Sequence, residues 1–207
     1  MHPRRRPFPR ACWLILAGLA SGCANFGVVE EGRVYRSGQP EADNLRTWVD
    51  QHDLKTILQL RGVKPSPAAA EVIEQAEIEV VRIPLSARSY PNRAQLVQLW
   101  DTFAQARYPM LIHCRAGADR TGLAAAIYTL QRTGDLDRAR AQLSLAHGHT
   151  GYGTNRLDRV FEMYGRWHGR MDFRRWASTL YHPPQDHPAR KPKKDAALAA
   201  GSALLAR

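Results

Sequence analysis

Cys114 and Arg120 bracket five residues in the run His113-Cys114-Arg115-Ala116-Gly117-Ala118-Asp119-Arg120-Thr121-Gly122. The apolar triplet Met110-Leu111-Ile112 precedes this run, and an apolar stretch from Leu123 to Leu130 follows it. The first reads as a short buried strand and the second as a buried helix, so the segment between them is a strand-loop-helix turn with a thiol near its start. A helix N-terminus offers unpaired backbone N–H groups and the positive end of the macrodipole, which together seat a phosphate-like anion. The same field favours thiolate over thiol at Cys114 and makes it a nucleophile near neutral pH. Arg120 can grip two phosphate oxygens with its planar fork, which a lysine could not copy. This set of residues points to nucleophilic attack on phosphorus.

His-Cys, five residues, then Arg-Thr-Gly resembles the signature loop of the cysteine-dependent protein tyrosine and dual-specificity phosphatase superfamily. His113, Cys114, Gly117, Arg120, Thr121 and Gly122 carry the match. The resemblance implies that Cys114 attacks phosphorus to form a phosphocysteine, which water then hydrolyses. It implies that Arg120 clamps the phosphate and stabilises the transition state. Arg115, Ala116, Gly117, Ala118 and Thr121 would bind the substrate phosphate, with the Thr121 hydroxyl bonding the departing thiolate. Gly117 would allow the tight turn that points N–H groups inward. His113 would support the loop from behind, and Gly122 would permit close packing as the helix begins. This chemistry uses no metal and no cofactor. A rhodanese-like sulfur carrier also has a cysteine-headed loop before a helix, but it would not need this arginine and threonine at these offsets.

One departure concerns the acid. In most members of that superfamily an aspartate about thirty residues before the cysteine protonates the leaving group. Here Pro84-Leu85-Ser86-Ala87-Arg88-Ser89-Tyr90-Pro91 contains no carboxylate. Expelling a bare alkoxide is costly, so another group must supply the proton. Asp119 is the first candidate, because Cys-x-x-Gly-x-Asp-Arg resembles the loops of bacterial lipid-and-tyrosine phosphatases and of myotubularins. The alternative is that Asp119 orients Arg120 or caps the helix. Asp101 is a second candidate, in the middle of an expected helix. His147 and His149 could suggest a metal, but no third ligand of suitable spacing follows.

The elements around the loop alternate as in an α/β domain, a central and mostly parallel sheet flanked by helices. Strands are expected over 33–36, 55–60, 79–85 and 109–113, and helices over 41–51, 67–76 and 92–106. Leu45, Trp48 and Val49 share one face of the first helix; Leu96, Val97, Leu99, Trp100 and Phe103 recur at helical spacing in the third. Helices over 120–132, 136–146, 155–167 and 171–181 complete a C-terminal helical cluster. Tyr35-Arg36-Ser37-Gly38-Gln39-Pro40, Gln59-Leu60-Arg61-Gly62 and Ile83-Pro84-Leu85-Ser86 extend the resemblance to bacterial dual-specificity-like phosphatases, with Gln142-Leu143-Ser144-Leu145 after the loop. Arg36, Gln39 and Arg61, at strand ends, could border the site or be structural, and Arg88 and Tyr90 could line it from the opposite loop.

Both ends of the chain differ in character from this domain. Arg4, Arg5, Arg6 and Arg10 form a basic leader, an apolar stretch from Ala11 to Ala20 follows, and Ser21-Gly22 precede Cys23. That is the grammar of a secretory signal. Ala20-Ser21-Gly22-Cys23 resembles a bacterial lipobox, which implies a signal peptide over 1–22 and lipidation of Cys23. A lipidated linker over 23–32, a phosphatase domain over 33–181 and a disordered basic tail over 182–207 are then expected. The resemblance places the chain at the periplasmic face of the outer membrane. Cys12 leaves with the leader and Cys23 is acylated, so Cys114 has no disulfide partner.

Four of the +11 net charges sit in the leader, and the rest are not interleaved with aromatics, which speaks against nucleic acid as a partner. At 44% hydrophobic and 24% charged, the chain suits one globular core. The sequence predicts a monomeric phosphomonoesterase acting on phosphoprotein or phospholipid-type substrates. The competing expectation is a pseudophosphatase that binds phosphate as an interaction module.

Overall fold

The computed structural model of the chain describes residues 25–184. The expected signal peptide, Cys23 and nearly all of the expected basic tail lie outside the described residues. Five strands form one sheet in the order β1-β2-β5-β3-β4. They are β1 (Gly27–Glu30), β2 (Val34–Ser37), β3 (Thr56–Gln59), β4 (Glu79–Arg82) and β5 (Met110–His113). β1 runs antiparallel to β2, and the other pairings are parallel.

Side chains alternate across each strand, and the two faces bury different helices. Tyr35, Ile57 and Leu111 point to a core shared with α1 (Ala42–His52) and α2 (Pro67–Gln75). Val34, Leu58, Met110 and Ile112 point to the larger core on the opposite face. That core is built by α3 (Arg93–Gln105), α4 (Asp119–Thr133), α5 (Leu136–Arg140), α6 (Arg156–Gly165) and α7 (Phe173–Thr179). Every residue of α4 from Thr121 to Leu130 is buried, as expected of a helix enclosed on all sides. Local chemistry sets the helix starts. Ser66 caps α2 ahead of Pro67, and Asn92 with Gln95 forms a capping box on α3.

Two expectations are corrected. Residues 27–30, assigned to a linker ahead of the domain, form an edge strand of the sheet; Gly27-Val28-Val29-Glu30 is too short to show an alternating pattern. The helix expected over 136–146 stops at Arg140, and a 3₁₀ turn follows at Leu145–His147. Tertiary contacts interrupt it, because Arg36 takes both the carbonyl and the side-chain oxygen of Gln142. The other elements differ from expectation only by a few residues at their ends.

Candidate active site

β5 is the middle strand, paired with β2 on one side and β3 on the other. Cys114 therefore emerges where Ser37 and Gln59 lie in register with His113 on either side. It is buried and its thiol is free. The loop that follows owes its shape to the fate of its carbonyl oxygens. His113 O accepts from Leu60 N at 2.9 Å, and Arg115 O from Gln39 N at 3.0 Å. Ala116 O accepts from Asn25 Nδ2 at 2.9 Å. Gly117 O accepts from Arg36 Nη2 at 3.0 Å, while Ala118 O accepts from Gly122 N at 2.7 Å. A trans peptide unit sets its N–H opposite its C=O. With the carbonyls of residues 115–118 held outward, the N–H groups of residues 116–119 turn to the inner side, at the start of α4. The result is a seat for an oxyanion.

Arg36 is the fastener of this loop. Its side chain is wholly buried, with Nη2 on the Gly117 carbonyl and Nη1 on Gln142. Burial pushes its guanidinium down to about 10, and the charge of Cys114 works against that shift. Gly117 has φ +73, and an added Cβ would fall 2.6 Å from Gly38 N and from the Ser37 carbonyl carbon. Gly122 lets Leu143 and Gln142 approach α4, since a Cβ there would lie 2.8 Å from Leu143 Cδ2.

His113 is buried with Nδ1 toward the Cys114 carbonyl at 3.4 Å, and burial pushes its imidazole down to about 4, so it is neutral. Arg120 and Thr121 stand in the first turn of α4. Among the described residues, Arg120 Nε and the Thr121 hydroxyl are buried polar atoms without a protein partner. Buried donors of that kind suit a ligand that brings its own acceptors.

Asp119 does not cap α4, whose N-cap residue Ala118 has no side-chain hydrogen bond. Its Oδ1 instead faces His149 Nδ1 at 2.7 Å, and His149 Nε2 faces Asp158 Oδ2 at 2.9 Å. The other acid candidate, Asp101, is bound to Arg174 of α7 through both carboxylate oxygens. Among the described residues no group of three or more His, Cys, Asp or Glu is placed to hold a metal ion. His147 is tied to the loop through its backbone: Asn25 Nδ2 bridges His147 O and Ala116 O.

Gln39 binds the loop through its backbone, and Arg156 of α6 lies over the Tyr90 ring at 6.0 Å. Arg88 stays local, its N–H bonded to Ser86 Oγ. Arg61, Lys64 and Arg82 rim a cavity of about 570 Å³ with Val63, Pro65 and Pro84. It opens beyond the C-terminal ends of β3 and β4, the end of the parallel sheet from which Cys114 also emerges. Sequence reasoning missed Asn25 and His149 as loop partners. It named Arg36 without its role, and only the Tyr35–Pro40 motif hinted at it.

Known proteins share this fold. The family model described as DSP-PTPase phosphatase fused to NAD+ kinase matches residues 20–157. OCA1 of Mycosarcoma maydis, assigned as a tyrosine-protein phosphatase, is 31% identical over 103 residues. That match takes in 47% of this chain and 64% of OCA1, less than two thirds of the relative's length. TpbA of P. aeruginosa superposes with a TM-score of 0.56 at 22% identity, over 68% of this chain and 84% of TpbA. The core catalytic domain of the PP-IP phosphatase SIW14 from S. cerevisiae gives 0.57 at 23% identity, over 68% and 85%. TpbA has also been solved in complex with pTyr. At these identities the two structures speak for the fold alone.

Proposed function

We propose that this chain, which belongs to the DSP-PTPase phosphatase family matched over residues 20–157, hydrolyses phosphomonoesters through a phosphocysteine at Cys114. The outward fastening of the loop carbonyls carries the reading, because it leaves a fan of N–H groups where a phosphoryl group would sit above the sulfur. In the first half-reaction the Cys114 thiolate forms an S–P bond while the bond from phosphorus to the leaving oxygen breaks. Asp119 gives that oxygen a proton. Arg120 and the N–H groups of residues 116–119 hold the equatorial oxygens, where charge develops. In the second half-reaction water attacks phosphorus, its proton returns to Asp119, and the thiolate departs onto the Thr121 hydroxyl. His113 and Gly122 support the loop without touching substrate.

The substrates in this reading are phosphotyrosine- or phosphoserine-protein or phospholipid-type monoesters at the cell envelope. The leader grammar ending at Cys23 supports the location. The cavity rimmed by Arg61, Lys64 and Arg82, with apolar Val63, Pro65 and Pro84, suits a substrate body with both negative charge and apolar surface. The pTyr bound to TpbA and the PP-IP activity of SIW14 are precedents on this fold for an aryl and a polyanionic substrate.

The experiment is Cys114→Ser in the full chain, assayed with p-nitrophenyl phosphate and with vanadate binding. Turnover should fall by at least about a thousandfold, because serine offers no ionised nucleophile, while vanadate still binds the intact seat. Residual kcat near that of the unaltered enzyme would place the nucleophile elsewhere.

A further inference from the structure

We propose that His149 is the positioning residue and proton store for Asp119, with Asp158 as the solvent-side end of the same relay. The inference rests on the cysteine phosphatase reading above and assigns a source to the proton that reading requires. His149 is 4% exposed and lies between two carboxylates on opposite sides of its ring. Nδ1 is 2.7 Å from Asp119 Oδ1, and Nε2 is 3.1 and 2.9 Å from the two oxygens of Asp158. The side chains of Asp119 and Asp158 remain 26% and 32% exposed.

A neutral imidazole carries one N–H and can donate to only one of these neighbours. Two hydrogen bonds therefore require one more proton than a neutral ring between two carboxylates provides. That proton resides on the ring as imidazolium or on a carboxyl group, and the short Nδ1–Oδ1 bond joins the two locations. It is the proton the leaving group needs, and the segment 84–91 offers no carboxylate to supply it. A helix cap or a simple ion pair would need one acidic partner, whereas here a second one reaches the ring from α6.

The ring is also fixed relative to the catalytic loop. His149 N donates to Ser144 O at 3.0 Å, and a Cβ added at Gly148, whose φ is +77, would lie 3.7 Å from Ala118 Cβ. Asn25 ties His147 O to Ala116 O. The charged groups acting on His149 are Asp158 from α6 and Asp119 from α4, and Arg36 of β2 acts on His147 two residues earlier. Burial alone would lower the His149 pKa, but hydrogen bonds and charges from both aspartates outweigh it and raise the imidazole above its usual value.

As the P–O bond breaks, the single extra proton passes from His149 Nδ1 to the Asp119 carboxyl group and on to the leaving oxygen, which leaves Asp119 ionised. Imidazolium becomes imidazole, and the electron pair of the broken bond ends in the new O–H bond. When water attacks the phosphocysteine, its proton follows the same route back, and the thiolate and imidazolium are restored together.

The test is His149→Gln in the full chain, with Asp119→Asn beside it, on phosphate monoesters whose leaving groups run from nitrophenol to a simple alcohol. We expect kcat/KM for the alkyl ester to fall by about thirtyfold or more, within the range of acid catalysis. The nitrophenyl ester should lose less than about threefold, because its leaving group departs with little protonic help. The basic limb of the pH profile should move to lower pH by at least about one unit. An equal loss for both esters with an unmoved basic limb would overturn the proposal. If His149→Gln fails to fold, Asp158→Asn is read instead, and the same selectivity and shift are required of it. A fully active Cys114→Ser would strike the phosphocysteine reading, whereas a dead Cys114→Ser with a wild-type-like His149→Gln would strike this inference alone.

Discussion

Arg36 Nη2 lies 3.0 Å from the carbonyl oxygen of Gly117, a residue 81 positions away in the sequence. This bond and those to Gln142 make a buried guanidinium the back wall of the loop. Arg36→Lys keeps the charge but can reach only part of the set, and Arg36→Met leaves buried carbonyls unpaired. Each unpaired group costs about 1–3 kcal/mol. We expect Arg36→Met to lose roughly 2–4 kcal/mol in urea unfolding and about a hundredfold in kcat/KM. Arg36→Lys should fall between it and the unaltered enzyme. Full activity in Arg36→Met would show that the loop holds its shape unaided.

Gly117→Ala meets two obstacles at once, a left-handed backbone and a Cβ 2.6 Å from the backbone of Ser37 and Gly38. Left-handed geometry costs an L residue about 1–2 kcal/mol, and the overlap with backbone has no flexible side chain to relieve it. Activity should fall by more than about a hundredfold, with a stability loss of roughly 3 kcal/mol or more. Gly122→Ala meets the flexible end of Leu143 first, so about 1–2 kcal/mol is expected there. Thermal melts and kcat of both variants check this order; a milder Gly117→Ala would contradict it.

The two buried histidines act at opposite ends of the pH scale. Burial holds His113 at about 4, against 6.5 for the free side chain, so between these values the unfolded chain binds more protons. Its contribution is complete above pH 6.5 and is lost as pH falls toward 4, by roughly 3 kcal/mol. His149, raised, contributes stability that is complete below 6.5 and is lost as pH climbs through its folded value. Urea unfolding should therefore give greatest stability near neutrality. In His113→Gln the slope between pH 6.5 and 4 should flatten, and an unchanged slope would assign the acid sensitivity to other groups.

The sequence made the strand-loop-helix centre legible because its signals are local. An apolar triplet, a five-residue gap between Cys114 and Arg120 and an apolar helix all sit within about twenty residues. It did not disclose what shapes the loop. Asn25 reaches Ala116 across 91 positions, Arg36 reaches Gln142 across 106, and His149 reaches Asp119 across 30. No hydrophobic period or turn preference encodes such pairings. The overlong helix expected after Leu136 fails for the same reason: its residues favour continuing, but the Gln142 oxygens are claimed from another strand. The loop motif singles out Asp119, but His147-Gly148-His149 carries no local mark of a carboxylate on each side of the His149 ring.

Because the loop is fastened by Asn25, Arg36, Gln39 and Leu60, four places along the first part of the chain, it has no independent existence. Peptides spanning 110–133 alone should bind no oxyanion, and the seat should appear only with global folding. Catalytic competence then reports the cooperative unit as a whole, without a partly folded yet active species. The coupling runs both ways. An oxyanion held in the seat stabilises the entire domain by RT ln(1 + [L]/Kd), about 2.7 kcal/mol at a hundredfold excess over Kd. Inorganic phosphate in the surroundings thus becomes a folding ligand, and its depletion removes support from strands that never touch it.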